Sequence, residues 1–424
     1  MLTIKLLREQ KDEVVKRLKI KNFDAEAIIN DILEIDNQRK ETQAKLDNCL
    51  AESNNLAKKI GQLFKEGKQQ EANEAKERTG LLKAESKDLG ALLSELENKQ
   101  NELIVLLPNI PSEQVPPGKG ADDNVEVKSG GSIPELMIGK LAHWDLAKKY
   151  DLIDFELGNK ITGSGFPVYK GKGAKLQRAL ITYFLDRAVD AGYFEVIPPL
   201  VVNEASGFGT GQLPDKEGQM YHVTIDNFYL IPTAEVPVTN IFRDEILNSE
   251  DFPVKRVAYT PCFRREAGSY GKDVRGLNRL HQFDKVEIVQ LRHPSDSYNG
   301  LNEMVRYVES LVESLGLPYR ILRLCGGDMS FTSALTYDFE VYSAAQEKWL
   351  EVSSVSNFVD YQANRLKLRF KEKGEKKTQL AHTLNGSALA LPRIVAALLE
   401  NNQAVEGIKI PEVLVPYIGF DLIS

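Results

Sequence analysis

The densest chemistry in this chain lies between two strand-like runs, VAYT and KVEIV, where it reads FRREAGSYGKDVRGLNRLHQFD. Arg264, Arg265, Lys272, Arg275, Arg279 and His281 gather there, although the formal net charge of the whole chain is -7. On a strand, alternation would put Arg264 and Glu266 on one face. A guanidinium fork suits phosphate oxygens, and a nearby carboxylate can accept from an exocyclic amine. The same Arg and Glu could equally form a structural ion pair on a sheet. Gly268, Gly271 and Gly276 mark the intervening segment as a hairpin loop, expected to be mobile.

Three other stretches carry candidate groups. In HTLNGSALALPRIVAALLENNQ (382–403), Pro392 fits a first helical turn and an apolar pattern follows through Leu391, Ile394, Val395, Leu398 and Leu399. Arg393 then falls in the positive N-terminal turn, where guanidinium and helix dipole can jointly meet a phosphate. In FYLIPTAEVPVTN, Thr233 and Glu235 close a strand. In LEVSSVSN, Glu351 and Ser354 offer hard oxygens of the kind magnesium takes. Taken singly, each of these is also what a surface charge or a strand end looks like.

These groups need a scaffold, and the pattern along the 424 residues supplies two kinds. Residues 26 to about 107 contain no proline and carry apolar or small residues in alternating steps of four and three. One arm runs Ile28, Ile32, Ile35, Arg39, Thr42, Leu46, Cys49, Ser53, Leu56, Ile60, Leu63. The other runs Ala72, Ala75, Thr79, Leu82, Ser86, Leu89, Leu93, Leu96, Gln100, Leu103, Leu107. That is a coiled-coil repeat, and KEGKQQ with Gly67 between the arms predicts an antiparallel hairpin. Residues 39–87 carry eleven Lys/Arg against eight Asp/Glu, whereas the root segments 26–38 and 88–107 carry eight acids and one lysine. Mixed charge is ordinary on a solvated coiled coil; it also suits an arm whose distal part meets a polyanion.

After a proline-rich connector, LLPNIPSEQVPPGKGADDN, helix patterns at 174–191 and 301–315 alternate with short β-rich runs. These are FEVIPPLVV, FYLIPT, VKRVAYT, DKVEIVQL, YRILRL, TYDFEVYS and KWLEVSSVS. Many strands with few helices between them predict an antiparallel sheet flanked by helices, an α+β architecture. Expected boundaries are 1–110 for the helical arm, 111–132 for the linker and 133–424 for the sheet domain. Neither GxGxxG after a strand nor GxxxxGK[ST] occurs, which argues against those nucleotide-binding folds.

Composition sets the remaining bounds. Cys49, Cys262 and Cys325 lie far apart without metal-ligand spacing, so each is expected to be a small core residue. No apolar run reaches the length of a membrane span, and the opening MLTIKLLREQKDEVV does not read as a leader, so the expected location is cytoplasmic.

Together and in this order, the segments resemble bacterial-type seryl-tRNA synthetases, members of the class II aminoacyl-tRNA synthetase family, over essentially the whole chain. The resemblance rests on the helical hairpin, IPPLVV of motif 1 (about 176–203), TAE, motif 2 FRREAGSYGKDVRGLNRLHQFDKVE, EVSS and motif 3 LNGSALALPR. HIGH and KMSKS, the class I signatures, are absent. Threonyl, prolyl, histidyl and glycyl relatives carry a further domain after motif 3, where here 31 residues follow Arg393.

The resemblance implies ATP-dependent attachment of L-serine to tRNA through a seryl-adenylate, with selenocysteine tRNA also serylated where it exists. It implies that Arg264 holds the α-phosphate, Glu266 reads the adenine amino group and Phe283 stacks on the base. Arg393 with Arg279 would clamp the γ-phosphate, and Glu351 with Ser354 would bind magnesium. Arg264, Arg393 and Glu351 thus carry the catalytic roles, and Arg265, Leu280, Val352 and Ser353 complete the ATP site. Thr233, Ala234, Glu235, Glu287, Asn385 and Ser387 form the implied serine pocket. Many relatives read FRSE where this chain reads FRRE, which leaves the contact of Arg265 open. The zinc ligand set of archaeal-type members is not found, so no zinc is expected. A homodimer with motif 1 at its interface is implied, as is an arm that recognises the long variable arm of the tRNA. Two other classes compete with it. An RNA-binding relative without aminoacylation would be expected to have a broken arginine clamp, and an enzyme that loads a carrier protein would be expected to lack the arm.

Overall fold

Between Ala25 and Val105 the heptad stripes become two long helices, α1 (Glu26–Lys65) and α2 (Gln69–Ile104), joined by a turn in which Gly67 adopts φ +73°. Glu52 accepts two hydrogen bonds from Arg78, and the Cys49 thiol donates to the Leu82 carbonyl at 3.1 Å. As one number rises the other falls, so the helices run antiparallel. Ile32, Thr42, Cys49, Ala72, Thr79, Leu82, Leu96 and Gln100 of the expected stripes are buried. At the root Asp36 is buried too, ion-paired to Arg8, Arg39 and Lys40. Burial alone would raise its carboxyl, but the three cations outweigh that and hold it down to about 2.

The computed structural model describes residues 1–424 except 137–138, 216–217 and 268–274. It divides into two compact units, 1–19 with 23–108, and 20–22 with 109–424. The second unit is built on an eight-stranded sheet. Its strands are β1 (Val125–Gly130), β2 (Phe194–Glu195), β3 (Val254–Phe263), β4 (Gln282–Arg292), β5 (Tyr319–Arg323), β6 (Leu335–Ser343), β7 (Lys348–Val359) and β8 (His382–Ala390). Across the sheet the order is β1-β5-β6-β7-β8-β4-β3-β2. Every neighbouring pair is antiparallel except β2 with β3. Strand β1 falls inside the segment expected to be linker: 111–132 contributes an edge of the sheet.

Helices α3 (Gly171–Asp190), α4 (Ser297–Ser314) and α5 (Leu391–Asn401) cover the sheet with apolar faces, among them Leu180, Phe184, Met304, Val308, Ile394 and Leu398. Val286 and Ile288 of β4 join that core. Because side chains alternate along a strand, Phe283, Lys285 and Glu287 share the opposite face. Cys49, Cys262 and Cys325 are buried and form no disulfide. Among the described residues, no helix is long and apolar enough to cross a membrane.

Candidate functional site

On that opposite face lies a cavity of about 520 Å³, and the separated sequence motifs converge on it. Thr233, Glu235, Arg264, Glu266, Arg279, Leu280, Phe283, Glu287, Glu351, Val352, Ser353, Ser354, Asn385, Ser387 and Arg393 all line it. Two expected residues do not. Ala234 is fully buried in a small apolar cluster with Val238, Ala258 and Val289. Arg265 has an exposed side chain, and its backbone N–H donates to the Gln219 carbonyl at 2.8 Å.

Local backbone explains the placement. Strand β3 ends at Phe263, so Arg264 and Glu266 lie just past the strand on which they were expected. Arg264 prolongs the ladder by one bond, donating its N–H to the His281 carbonyl at 2.9 Å. Its Nε donates to the Pro232 carbonyl at 3.2 Å, and its guanidinium lies 5.3 Å from the Phe283 ring centre. Glu266 takes a positive φ of 48°, which turns its carboxylate to accept from Arg279 Nη1 at 2.9 Å. Lys272, expected in the loop that follows, lies outside the described residues. Arg275 stacks on the Trp144 ring at 4.4 Å.

Arg393 stands in the first turn of α5, as the Pro392 pattern predicts. Its Nε donates to the Asn278 carbonyl at 3.1 Å and its Nη1 to the Glu351 carbonyl at 2.7 Å. Glu351 and Ser354 are three residues apart on β7, an odd spacing that would normally separate their faces. A bulge at Val352 removes the mismatch: Phe339 pairs with Ser353 and Glu340 with Glu351. Ser354 also hydrogen-bonds Asp338, its partner across the strands, whose carboxyl is pushed well up first by burial and then by the Glu351 charge. The Oδ1 of Asp338 is buried and has no partner among the described residues. The Glu351 carboxylate lies 3.6 Å from Arg393 Nη1. Hard oxygens of this kind suit a divalent cation held by one or two carboxylates together with substrate phosphates.

At the other end of the cavity two carboxylates are buried close together. Glu287 Oε1 accepts from Asn385 Nδ2 at 3.0 Å, and its Oε2 from Thr233 and Ser387 hydroxyls at 3.2 and 3.5 Å. It is also ion-paired to Lys285. Glu235, which opens a short helix (Glu235–Asn240) rather than closing a strand, accepts from Gln362 Nε2 at 2.6 Å. Burial, followed by the Glu287 charge, pushes Glu235 up to about 7, against the pull of Gln362, Lys285 and Arg264.

Lys285, Gln362 and Asp338 were missed in the sequence. Lys285 was within reach, since it stands two residues before Glu287 on the same strand face. Gln362 comes from a helix, Tyr361–Leu366, with no pattern tying it to Glu235.

The sequence family described as "Seryl-tRNA synthetase N-terminal domain" matches residues 1–111, and "tRNA synthetase class II core domain (G, H, P, S and T)" matches residues 221–402. A serine–tRNA ligase of Salinibacter ruber is 50% identical over 421 residues, covering 99% of this chain and 98% of the relative. One from a Cyanothece species is 45% identical over 430 residues, with 99% of each chain covered. The seryl-tRNA synthetase from Pyrococcus horikoshii, solved in complex with ATP, superposes with a TM-score of 0.90 at 34% identity, covering 100% of this chain and 99% of that one. Similarity of this extent, running through the hairpin and the sheet alike, makes the chain a member of the seryl-tRNA synthetase family.

Proposed function

We propose that this chain activates L-serine with ATP and transfers it to serine tRNA. The observation that carries the reading is the convergence on one cavity of an arginine-rich end, Arg264, Arg279 and Arg393, and a buried two-carboxylate end, Glu235 and Glu287. One end suits a triphosphate; the other suits a small ammonium-bearing molecule with a hydroxyl. Phe283 and Glu287 stand four residues apart on one face of β4, about 13 Å at the usual rise per residue, so an aminoacyl-adenylate fits between base and amino acid.

Chemistry in the first step asks little of the protein beyond positioning and charge. The serine carboxylate is already a nucleophile, so it attacks the α-phosphorus without a general base and diphosphate leaves. Arg264 neutralises charge developing at the α-phosphate, Arg279 and Arg393 hold the leaving diphosphate, Phe283 stacks on adenine and Glu266 reads its amino group. Glu351 and Ser354 would hold Mg²⁺, which supplies further neutralisation of the phosphates. In the second step a terminal ribose hydroxyl of the tRNA attacks the adenylate carbonyl and AMP leaves. Thr233, Glu235, Glu287, Asn385 and Ser387 make the serine pocket. A site that hydrogen-bonds the substrate hydroxyl rejects alanine by roughly 10⁴–10⁵.

The proposed division of labour is a tRNA-binding arm in 1–110 and catalysis in 133–424. An arm that reads backbone and shape extends the reading to selenocysteine tRNA where that tRNA is present. A cytoplasmic homodimer joined through motif 1 completes it. Support for the dimer comes from Phe194 on edge strand β2 and from Ile197, which are 65% and 90% exposed although large and apolar. Serine-dependent ATP–diphosphate exchange by the purified protein tests the reading, and its absence across the amino acids would sink it.

A further inference from the structure

Lys285 has no part in the roles above, yet it lines the cavity. On β4 it occupies the position between Phe283 and Glu287 on the cavity face, about 6.6 Å along the strand from each. Its side chain is 7% exposed and is ion-paired to Glu287, itself 1% exposed. Burying such a pair costs several kcal/mol of desolvation per ion and is seldom worth more than an apolar pair of the same volume. Stability alone is therefore a poor reason for a lysine here.

Charge balance gives a better one. The amino-acid end of the cavity holds two buried carboxylates, Glu235 and Glu287. Serine brings one ammonium, and it also brings a carboxylate that must come close to the ATP phosphates. Two acids with Arg264 alone would leave one negative charge in excess and would favour an amine over an amino acid. Lys285 removes the excess: with both acids ionised, Glu235, Glu287, Arg264 and Lys285 sum to zero, as a zwitterion does. The Glu287 oxygens also have about four acceptor sites. Lys285, Thr233 and Ser387 all reach Oε2 while Asn385 takes one site on Oε1, so Lys285 holds the charge at the Oε2 edge and a substrate ammonium is left the remaining Oε1 site.

We propose that Lys285 is a positioning and specificity residue, which acts through Glu287 to match the pocket to a zwitterionic amino acid and against amines lacking the carboxylate. This rests on the serine-activating reading of the site. The test is calorimetric measurement of Kd for L-serine and for ethanolamine on the full chain, wild type beside Lys285→Met and Lys285→Arg. In Lys285→Met the ratio of ethanolamine Kd to serine Kd should fall about tenfold, the low end of what a charge 4–6 Å away does to an ionisation equilibrium. Lys285→Arg should keep the wild-type ratio. A merely structural lysine would weaken both ligands together, so a ratio that moves less than threefold overturns the proposal and a larger fall supports it. If Lys285→Met does not fold, Lys285→Gln is read by the same criterion. Wild-type protein with neither serine binding nor serine-dependent exchange would instead overturn the underlying reading, which separates the two failures.

Discussion

Gln362 donates its side-chain amide to the Glu235 carboxylate at 2.6 Å, while its own carbonyl accepts from the Thr383 hydroxyl at 2.7 Å. The amide thus fixes the orientation of a carboxylate that burial and Glu287 push up to about 7. Below that pH Glu235 takes a proton and no longer offers a full charge to the serine ammonium. Serine KM should therefore rise as pH falls below about 7, and this dependence should vanish in Glu235→Gln. Losing one buried charge partner costs about 2–5 kcal/mol, so serine KM in the variant should rise at least about thirtyfold at pH 8. Stability should move the other way. A carboxyl raised on folding contributes stability below its unfolded value of 4.5 that is lost as pH rises through 7. At pH 8 Glu235→Gln should gain up to about 3 kcal/mol over wild type in denaturant unfolding. A loss of stability at pH 8 would contradict the assignment.

Arg264 is held by the Pro232 carbonyl and the Phe283 ring, contacts that aim the guanidinium without using all five of its donors. Arg264→Ala should lower serine-dependent ATP–diphosphate exchange by at least about 10²–10³-fold, the usual loss for one preorganised charge-stabilising donor. Circular dichroism and melting should stay near wild type, because the side chain is only partly buried. Near-normal exchange would refute its role.

The hairpin and the sheet were legible in the sequence because their periodicities are local. The four-and-three stripe through Thr42, Cys49, Thr79 and Leu82 depends only on helix geometry, and each of these is buried. Runs such as VKRVAYT and TYDFEVYS coincide with strands β3 and β6. The less legible features depend on contacts far apart in sequence. The bulge at Val352 that brings Glu351 and Ser354 to one face is fixed by pairing with β6. The edge strand Val125–Gly130 is fixed by β5, which begins at Tyr319, and its nearly continuous exposure is what a linker also shows. Arg265 stands between two cavity residues in the motif, but its side chain is exposed, and past it the backbone takes a positive φ at Glu266.

The distal half of the hairpin carries the net positive charge, with Lys58, Lys59 and Lys76 exposed on it. If this half meets tRNA phosphates, the triple variant Lys58→Glu, Lys59→Glu, Lys76→Glu should raise the tRNA KM at least about tenfold and reduce the salt slope of binding by roughly two to three. Adenylation without tRNA should be unchanged. Equal charging by variant and wild type at 150 mM salt would remove the arm from recognition.

His143 and Glu400 form a fully buried pair that reaches the cavity wall indirectly. The Leu277 N–H donates to His143 Nε2 at 2.8 Å, so the opposite ring nitrogen, Nδ1, presents its proton to Glu400 at 2.7 Å. Gln346 joins the pair, donating to Glu400 at 2.9 Å and accepting from Asn278, whose carbonyl receives Arg393. Burial would raise the Glu400 carboxyl, but His143 and Ser343 more than offset it and keep it below the usual range. Glu400→Ala leaves His143, Ser343 and Gln346 without their acceptor. It should cost about 3–5 kcal/mol in denaturant unfolding, since several buried donors lose their acceptor at about 1–3 kcal/mol each. Because Asn278 orients Arg393, the ATP KM should rise more than the serine KM in whatever fraction folds. Equal changes in both would show that the network supports the fold without reaching the phosphate clamp.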